Sequence, residues 1–359
     1  MTRVIVVGTD VKGAPYGGVA AALPGYIDAL SKIGALHEFI PTHGRGGVER
    51  YWLRAAAQMP RLARSIRSVR ASGEIPVVYA HLGGPLSIGR KAAIMEVARR
   101  WGARTLAHIH SPRIDEFLGS RSKRAMFARL LRSADGLCAL TPYGKRRLAT
   151  VFEGPISVVP NPTPPWLIQA AAEAVNTREG PIQALSMARM VPGKGFDAAI
   201  RAVARGPGDV SLVIAGDGPE RAKLERLVVE LGLGERVRFA GWVSGAQKVE
   251  LLRSSDLFLL PSTMDSFGMG FIEAAAYGVP SIALDWGAIG DVIKDGETGW
   301  LCPAGAGAVE HLARALEEAS NRDELRRRGD CARQRALSIY SLDEVGRALK
   351  RAMDSFVDA

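Results

Sequence analysis

The stretch Asp256-Leu257-Phe258-Leu259-Leu260-Pro261-Ser262-Thr263-Met264-Asp265-Ser266-Phe267-Gly268-Met269-Gly270-Phe271-Ile272-Glu273-Ala274-Ala275-Ala276-Tyr277-Gly278-Val279-Pro280 decides how the chain folds. Leu257–Leu260 is a short apolar run, the pattern of a strand buried on both faces. Pro261 opens a small, polar, glycine-containing turn suited to exposing backbone N–H groups. Met269–Tyr277 then reads as an apolar, alanine-rich helix. A buried strand, a glycine turn and a helix form the repeating part of a βαβ fold.

Glu273 falls near the middle of that apolar helix. A buried carboxylate is expensive without a partner. Two partners suit it: a ligand's vicinal hydroxyls, such as a ribose diol, or a salt bridge. Asp265 lies on the turn, seven residues before Glu273.

Working outward, the same alternation recurs along the chain. Strands are expected at Val4–Gly8, His37–Ile40, Val77–Ala80, Thr105–His108, Leu137–Leu140 and Ile156–Val159. Helices are expected near Gly18–Ile33, Glu49–Ala71, Ser87–Arg100, Arg121–Ser133 and Tyr143–Val151. Pro160-Asn161-Pro162-Thr163-Pro164-Pro165 can continue neither a helix nor a central strand. Strands resume at Ile182–Met187, Ser211–Ala215, Val237–Ala240, Leu257–Leu260, Ser281–Leu284 and Gly299–Cys302. Helices are expected at Phe196–Ala204, Glu220–Leu231, Gln247–Ser254, Met269–Tyr277 and Ala306–Ala319. This predicts two doubly wound α/β domains, residues 1–165 and 166–341. A last helix, about Leu342–Phe356 within 342–359, is expected to cross back to the first domain. A ligand gripped by both would lie in a cleft at the carboxyl ends of the strands.

The bulk numbers agree with two domains. At roughly 150 residues each, 359 residues make about two. With 47% apolar and 23% charged residues, a disordered, collagenous or disulfide-stapled chain is excluded. Cys138, Cys302 and Cys331 are odd in number and form no CxxC pair, so no disulfide framework or zinc motif is expected. Val4–Val7 is too short for a signal-peptide core, and no apolar run reaches about 18 residues, so a cytoplasmic protein is expected. The net charge of +10 is uneven: residues 1–165 carry 24 Lys+Arg against 10 Asp+Glu, a net of +14, and the rest carries −4. A basic half suits nucleic acid, an anionic membrane face or phosphorylated ligands.

The glycine loops differ in strength. Gly8, Gly13, Gly17 and Gly18 do not fit the GxGxxG dinucleotide spacing, and by themselves read as a surface loop. Arg189-Met190-Val191-Pro192-Gly193-Lys194-Gly195 is sharper. It sets a guanidinium and an ammonium at a strand's carboxyl end before a helix, where a diphosphate would need two cations. Leu212–Ala215 followed by Gly216-Asp217-Gly218-Pro219 is another strand running into a glycine turn.

In order along the chain, these motifs resemble the donor-binding domain of glycosyltransferase family 4, retaining enzymes of the GT-B fold. Arg189 with Lys194-Gly195 is similar to the family's phosphate-binding Arg and Lys-Gly. Leu212–Pro219 resembles its Gly-Asp-Gly-Pro turn, and Arg238–Val243, with Trp242, its segment near the nucleotide base. Ser255–Ser262 resembles its Asp-strand-Pro-Ser stretch. Asp265 to Glu273 resembles its Glu-x7-Glu motif, and Asp295–Leu301 its Asp-Gly-x-x-Gly turn. The first domain matches more loosely, through Gly17-Gly18, His110, Ala134-Asp135 to Thr141, and Pro160-Asn161. His108, two residues upstream on the same strand face, competes with His110. Three departures stand out. Asp265 replaces the usual Glu, Asp291 stands where a Glu is more usual, and the loop after Gly8 is not the commonest version.

The resemblance implies a GT-B fold and transfer of a hexose from a UDP- or GDP-sugar with retention. It implies that Arg189, Lys194 and the Gly17 and Gly18 amides stabilise the leaving diphosphate and that Glu273 holds the ribose. The amides of Phe267, Gly268, Met269 and Gly270, with Asp265 nearby, would orient the sugar, Gly216, Trp242 and Ser266 would also line the donor, and His110 would contact the sugar or acceptor. No DxD triplet occurs, so no metal or other cofactor is expected.

The acceptor is read as a glycan, lipid-diphosphate-linked, in exopolysaccharide or other surface polysaccharide synthesis. Two basic stretches, Arg50–Arg70 and Arg121–Arg132, would touch an anionic membrane surface, making the protein peripheral on the inner face of the cell membrane. A solvated helix face accounts for each stretch equally well. The alternatives are a small soluble acceptor, or a nucleotide-sugar epimerase of the same fold. Nucleic acid is not expected as a partner, since neither aromatic RNA-binding motifs nor a helix-turn-helix pattern occurs.

Overall fold

The structure is a computed structural model that describes residues 1–10, 18–43, 48–172 and 180–357. It divides into two compact units. The first is Met1–Pro162 with Tyr340–Ala359, and the second is Thr163–Ile339.

The first unit runs β1 (Thr2–Thr9), α1 (Gly18–Lys32), β2 (Leu36–His43), α2 (Val48–Ala71), β3 (Ile75–Leu82), α3 (Pro85–Arg100), β4 (Arg104–Ile109), α4 (Ile114–Leu118), α5 (Arg121–Leu131), β5 (Gly136–Ala139), α6 (Pro142–Leu148) and β6 (Ile156–Val158). The second runs α7 (Pro165–Ala172), β7 (Ile182–Met187), α8 (Phe196–Arg205), β8 (Val210–Ala215), α9 (Arg221–Glu230), β9 (Val237–Gly241), α10 (Gly245–Arg253), β10 (Leu257–Leu259), α11 (Met269–Ala276), β11 (Ser281–Asp285), α12 (Ile289–Val292), β12 (Gly299–Pro303), α13 (Ala308–Ala319) and α14 (Arg322–Ile339). Helix α15 (Leu342–Val357) returns to the first unit.

All twelve expected strands are present and pair in parallel, in the orders β2-β1-β3-β4-β5-β6 and β12-β11-β10-β7-β8-β9. This is an α/β GT-B fold. Each order reverses once, between β1 and β3 and between β7 and β10. Loops leaving two such neighbours diverge, which opens a crevice at the carboxyl ends of the strands.

Helix α15 completes a core that its own sequence cannot build. Val345, Leu349, Ala352, Met353 and Phe356 pack with Val4, Val6, Leu23, Tyr26 and Leu30. A Cβ on Gly136 would sit 2.7 Å from the Phe356 ring, so only glycine leaves room for it.

Helices α4, α7, α12 and α14 were not expected. Helix α14 is 18 residues long and strongly charged, and it buries little beyond Leu325, Arg328, Gly329, Ala332 and Ala336. It packs by closeness rather than by apolar area: a Cβ on Gly329 would lie 2.2 Å from the Gly278 carbonyl oxygen. No helix of the described residues is long and apolar enough to cross a membrane.

Candidate active site

The second unit's switch point lies between β7 and β10, and the loops leaving these strands carry most of the expected donor residues. They are stitched together through backbone. Thr263 N–H donates to the Gly193 carbonyl at 2.8 Å, Met190 N–H to Asp217 at 2.9 Å, and Gly216 N–H to Gly241 at 2.7 Å. Glycine is required by contact at these crossings. Gly195 caps α8 at φ +74, and a Cβ there would fall 2.1 Å from the Pro261 carbonyl oxygen. A Cβ on Gly216 would fall 1.9 Å from the Ala188 carbonyl oxygen.

This packing brings Lys194 to Asp265. Their ion pair measures 2.7 Å, with both side chains mostly buried. The second carboxylate oxygen of Asp265 is buried and has no hydrogen-bond partner among the described residues. Arg189 lies on the same loop and is exposed. Gly268, at φ +78, caps α11. The first N–H groups of a helix lack partners within it, so those of Met269 and Gly270 stand at the positive end of its dipole. Phe267 is buried, Ser266 half-buried, and Trp242 half-exposed after β9.

Glu273 is buried on α11, and its partner here is Lys248 of α10, at 2.5 Å. The salt bridge is therefore the alternative that the fold realises. Lys248 was not anticipated, because no local spacing links it to Glu273, 25 residues away. Nearby, the Tyr277 hydroxyl is buried without a hydrogen-bond partner among the described residues, and burial raises its pKa.

In the first unit Gly17 lies outside the described residues. Gly18 begins α1, and a Cβ there would meet nothing within 4 Å, so no close contact demands glycine. His110 follows the last residue of β4, and its N–H donates to the Leu82 carbonyl at 2.7 Å. His108 lies inside the strand. Register pairs His81 with His108 across β3 and β4, so Tyr79, His81, His108 and His110 share one face. His81 Nδ1 and His110 Nε2 are 2.9 Å apart, and the Tyr79 hydroxyl is 2.6 Å from His108 Nδ1.

His81 and His108 are wholly buried, and His110 is 4% exposed. Burial pushes all three imidazoles down, His108 to about 3 with a neighbouring Val159 backbone group partly opposing. Beside them the Lys91 ammonium, lowered by burial to about 7, donates to the His81 carbonyl and the Ser87 hydroxyl. Sequence reasoning passed over His81 and Lys91. The alternation Tyr79-Ala80-His81 beside His108-Ile109-His110 is the signal that could have found His81.

The basic helices divide differently from expectation. On α2, Leu62 and Ile66 belong to the core, and Arg61 pairs with Glu38 at 2.6 Å. Trp52 and Leu53 remain exposed beside Arg54, with Arg64 and Arg67 exposed further along. On α5, Phe127 is core, stacked on Phe117 at 5.0 Å.

Two family descriptions match the chain. Glycosyl transferases group 1 matches residues 168–334, and Glycosyltransferase Family 4 matches residues 21–165. The chain belongs to glycosyltransferase family 4. The lipopolysaccharide core biosynthesis glycosyltransferase LpsE of Rhizobium meliloti is 33% identical over 55% of this chain and 57% of its own length. The chain spans between 33% and 57% of the lengths of the first curated relatives it matches. Among solved structures, sucrose-phosphate synthase from Thermosynechococcus elongatus aligns over 100% of both chains with a TM-score of 0.77 at 19% identity. HepE from Anabaena, solved with UDP, aligns over 99% of this chain and 100% of its own with a TM-score of 0.72 at 18% identity. At these identities the likeness to solved structures is one of fold.

Proposed function

We propose that this family 4 chain is a retaining, metal-independent hexosyltransferase. Its donor would be a UDP- or GDP-sugar, and its acceptor a lipid-diphosphate-linked glycan in exopolysaccharide or related surface-polysaccharide synthesis. The observation that carries the reading is the Lys194–Asp265 pair at the β7/β10 switch point, beside the N-terminus of α11. UDP bound to HepE and the lipopolysaccharide core biosynthesis named for LpsE support the donor and acceptor classes.

In this reading the leaving diphosphate gains negative charge as the bond from the anomeric carbon to the phosphate oxygen breaks. Lys194 and Arg189 stabilise that charge, and Lys194 exchanges Asp265 for the phosphate. Preorganised charges of this kind often supply the largest share of catalysis. Asp265 and the Met269 and Gly270 amides then hold sugar hydroxyls. Glu273 exchanges Lys248 for the ribose diol. The acceptor oxygen bonds the anomeric carbon on the departing face and passes its proton to the leaving phosphate, which gives retention. In the first unit, His110 is the proposed acceptor-side group. Trp52, Leu53 and the exposed arginines of α2 would rest on an anionic membrane, making the protein peripheral on its inner face.

A panel of UDP- and GDP-sugars, scored by binding and slow hydrolysis, tests the donor. Lys194→Ala should lower transfer roughly 100- to 1,000-fold, and Glu273→Gln should weaken donor binding, with circular dichroism unchanged. Full activity in the double variant would refute the assignment. EDTA should leave turnover unchanged, and a fluorinated donor should trap no covalent sugar on the enzyme. Loss of sedimentation with anionic vesicles in Trp52→Ala/Leu53→Ala is expected, and unchanged sedimentation would sink the membrane contact.

A further inference from the structure

The three imidazoles of the first unit have a property that sugar transfer does not use. One ring nitrogen from each of His81, His108 and His110 lies within 4.8 Å of one from each of the others. The β3–β4 register and the two-residue alternation of the strands put them there. One of the rings is plainly incompletely bonded: His81 Nε2 is buried and makes no hydrogen bond among the described residues, while the His108 ring also meets the Val159 backbone. A buried nitrogen left unpaired is costly, so the fold keeps a ring nitrogen of His81 unused where it is shielded from solvent.

We propose that His81, His108 and His110 form a binding site for a divalent first-row transition ion, of the zinc class. Three imidazoles with no carboxylate among them suit zinc, cobalt, nickel or copper and not magnesium or calcium. A zinc–nitrogen bond of about 2.0–2.1 Å puts tetrahedral ligands about 3.4 Å apart. The rings must therefore close by little more than an ångström, and the His81–His110 hydrogen bond gives way to a shared ion. The Tyr79 hydroxyl on His108 Nδ1 supplies the outer partner that orients a ligating imidazole. Lys91 is engaged by the His81 carbonyl and Ser87. Three protein ligands leave the fourth position open. An ion here would occupy His110, so it would oppose the transfer proposed above rather than assist it.

The test uses the full chain, stripped with chelator and titrated with Co²⁺ alone, with no donor present. Its outcome is therefore independent of the functional reading. Calorimetry should show one tight equivalent, and visible absorption the ligand-field bands of a four-coordinate, nitrogen-rich site. In His81→Gln/His108→Gln both should vanish, with affinity down at least roughly 100-fold, while circular dichroism confirms folding. Tyr79→Phe keeps all three rings and should bind about tenfold more weakly with the bands retained. His37→Gln, on the exposed edge of β2, should change nothing. Absence of the bands in the wild-type chain, or binding that survives in the double glutamine variant, would overturn the proposal.

Discussion

The carboxyl ends of the two sheets share a plan and differ in chemistry. In the second unit the exits of β7 and β10 are lined by ion pairs, Lys194–Asp265 at 2.7 Å with Lys248–Glu273 at 2.5 Å on the helices nearby. In the first unit the exits of β3 and β4 are lined by neutral rings, Tyr79, His81, His108 and His110, with burial holding the imidazoles uncharged. Yet the first half carries the +14 and the second the −4. Net charge thus describes the solvated helix faces, while at the strand exits the charges are paired in one unit and absent from the rings of the other. The scaffold beneath is nearly the same in both. Asp135 accepts the Thr105 N–H at 2.7 Å, and Asp256 accepts the Gln183 N–H at 2.8 Å. Each aspartate precedes a strand and ties down the start of its neighbour.

Acid should break the symmetry most. An unfolded His takes up its proton near the ordinary value of 6.5, whereas the buried rings resist to lower pH, His108 to about 3. Between those values the unfolded chain binds more protons, so stability falls as pH falls. Each ring that stays neutral removes on the order of 1 kcal/mol per pH unit. Hydrogen exchange followed by mass spectrometry at pH 7 and pH 5 should show peptides of β3 and β4 opening before those of β7 and β10. Equal loss of protection in both units would contradict the neutral cluster.

Gly195→Ala should do the reverse, disturbing only the second unit. The added Cβ meets the Pro261 carbonyl in a left-handed conformation, so a loss of about 3–5 kcal/mol in urea unfolding is expected. The paired aspartates sharpen the comparison at smaller scale. Asp256→Ala should cost about 2–3 kcal/mol, because it also removes the buried carboxylate bonded to Arg322 at 2.8 Å. Asp135→Ala should cost about 1–2 kcal/mol, since its arginine neighbours lie at 3.5 and 3.9 Å and are largely solvated. Gly18→Ala should change melting by less than about 0.5 kcal/mol, since its Cβ meets open space.

Much of this was legible from local pattern. Short apolar runs, some rich in Val and Ile and others such as Leu257–Leu259 built from Leu and Phe, located every strand, because a parallel strand buried on both faces has few other compositions. Helix α14 escaped because its packing rests on Gly329, Ala332 and Ala336 rather than on an apolar stripe. The basic helices also carry apolar residues that the spacing alone does not place. Leu62, Ile66 and Phe127 are core residues whose helical spacing is the same whether they face a sheet or a membrane.

The sequence by itself determined the two α/β halves, the strand-turn-helix motifs and the placement of Lys194, Asp265, Glu273 and His110 at or near strand exits. Only the tertiary structure decided their partners. Asp265 meets a lysine 71 residues away, Glu273 one 25 residues away, and His110 an imidazole 29 residues away. Periodicity fixes which face of its own element a side chain occupies. Strand order, register and the close approaches permitted by Gly195 and Gly216 fix what that face meets, and these are properties of the assembled sheet.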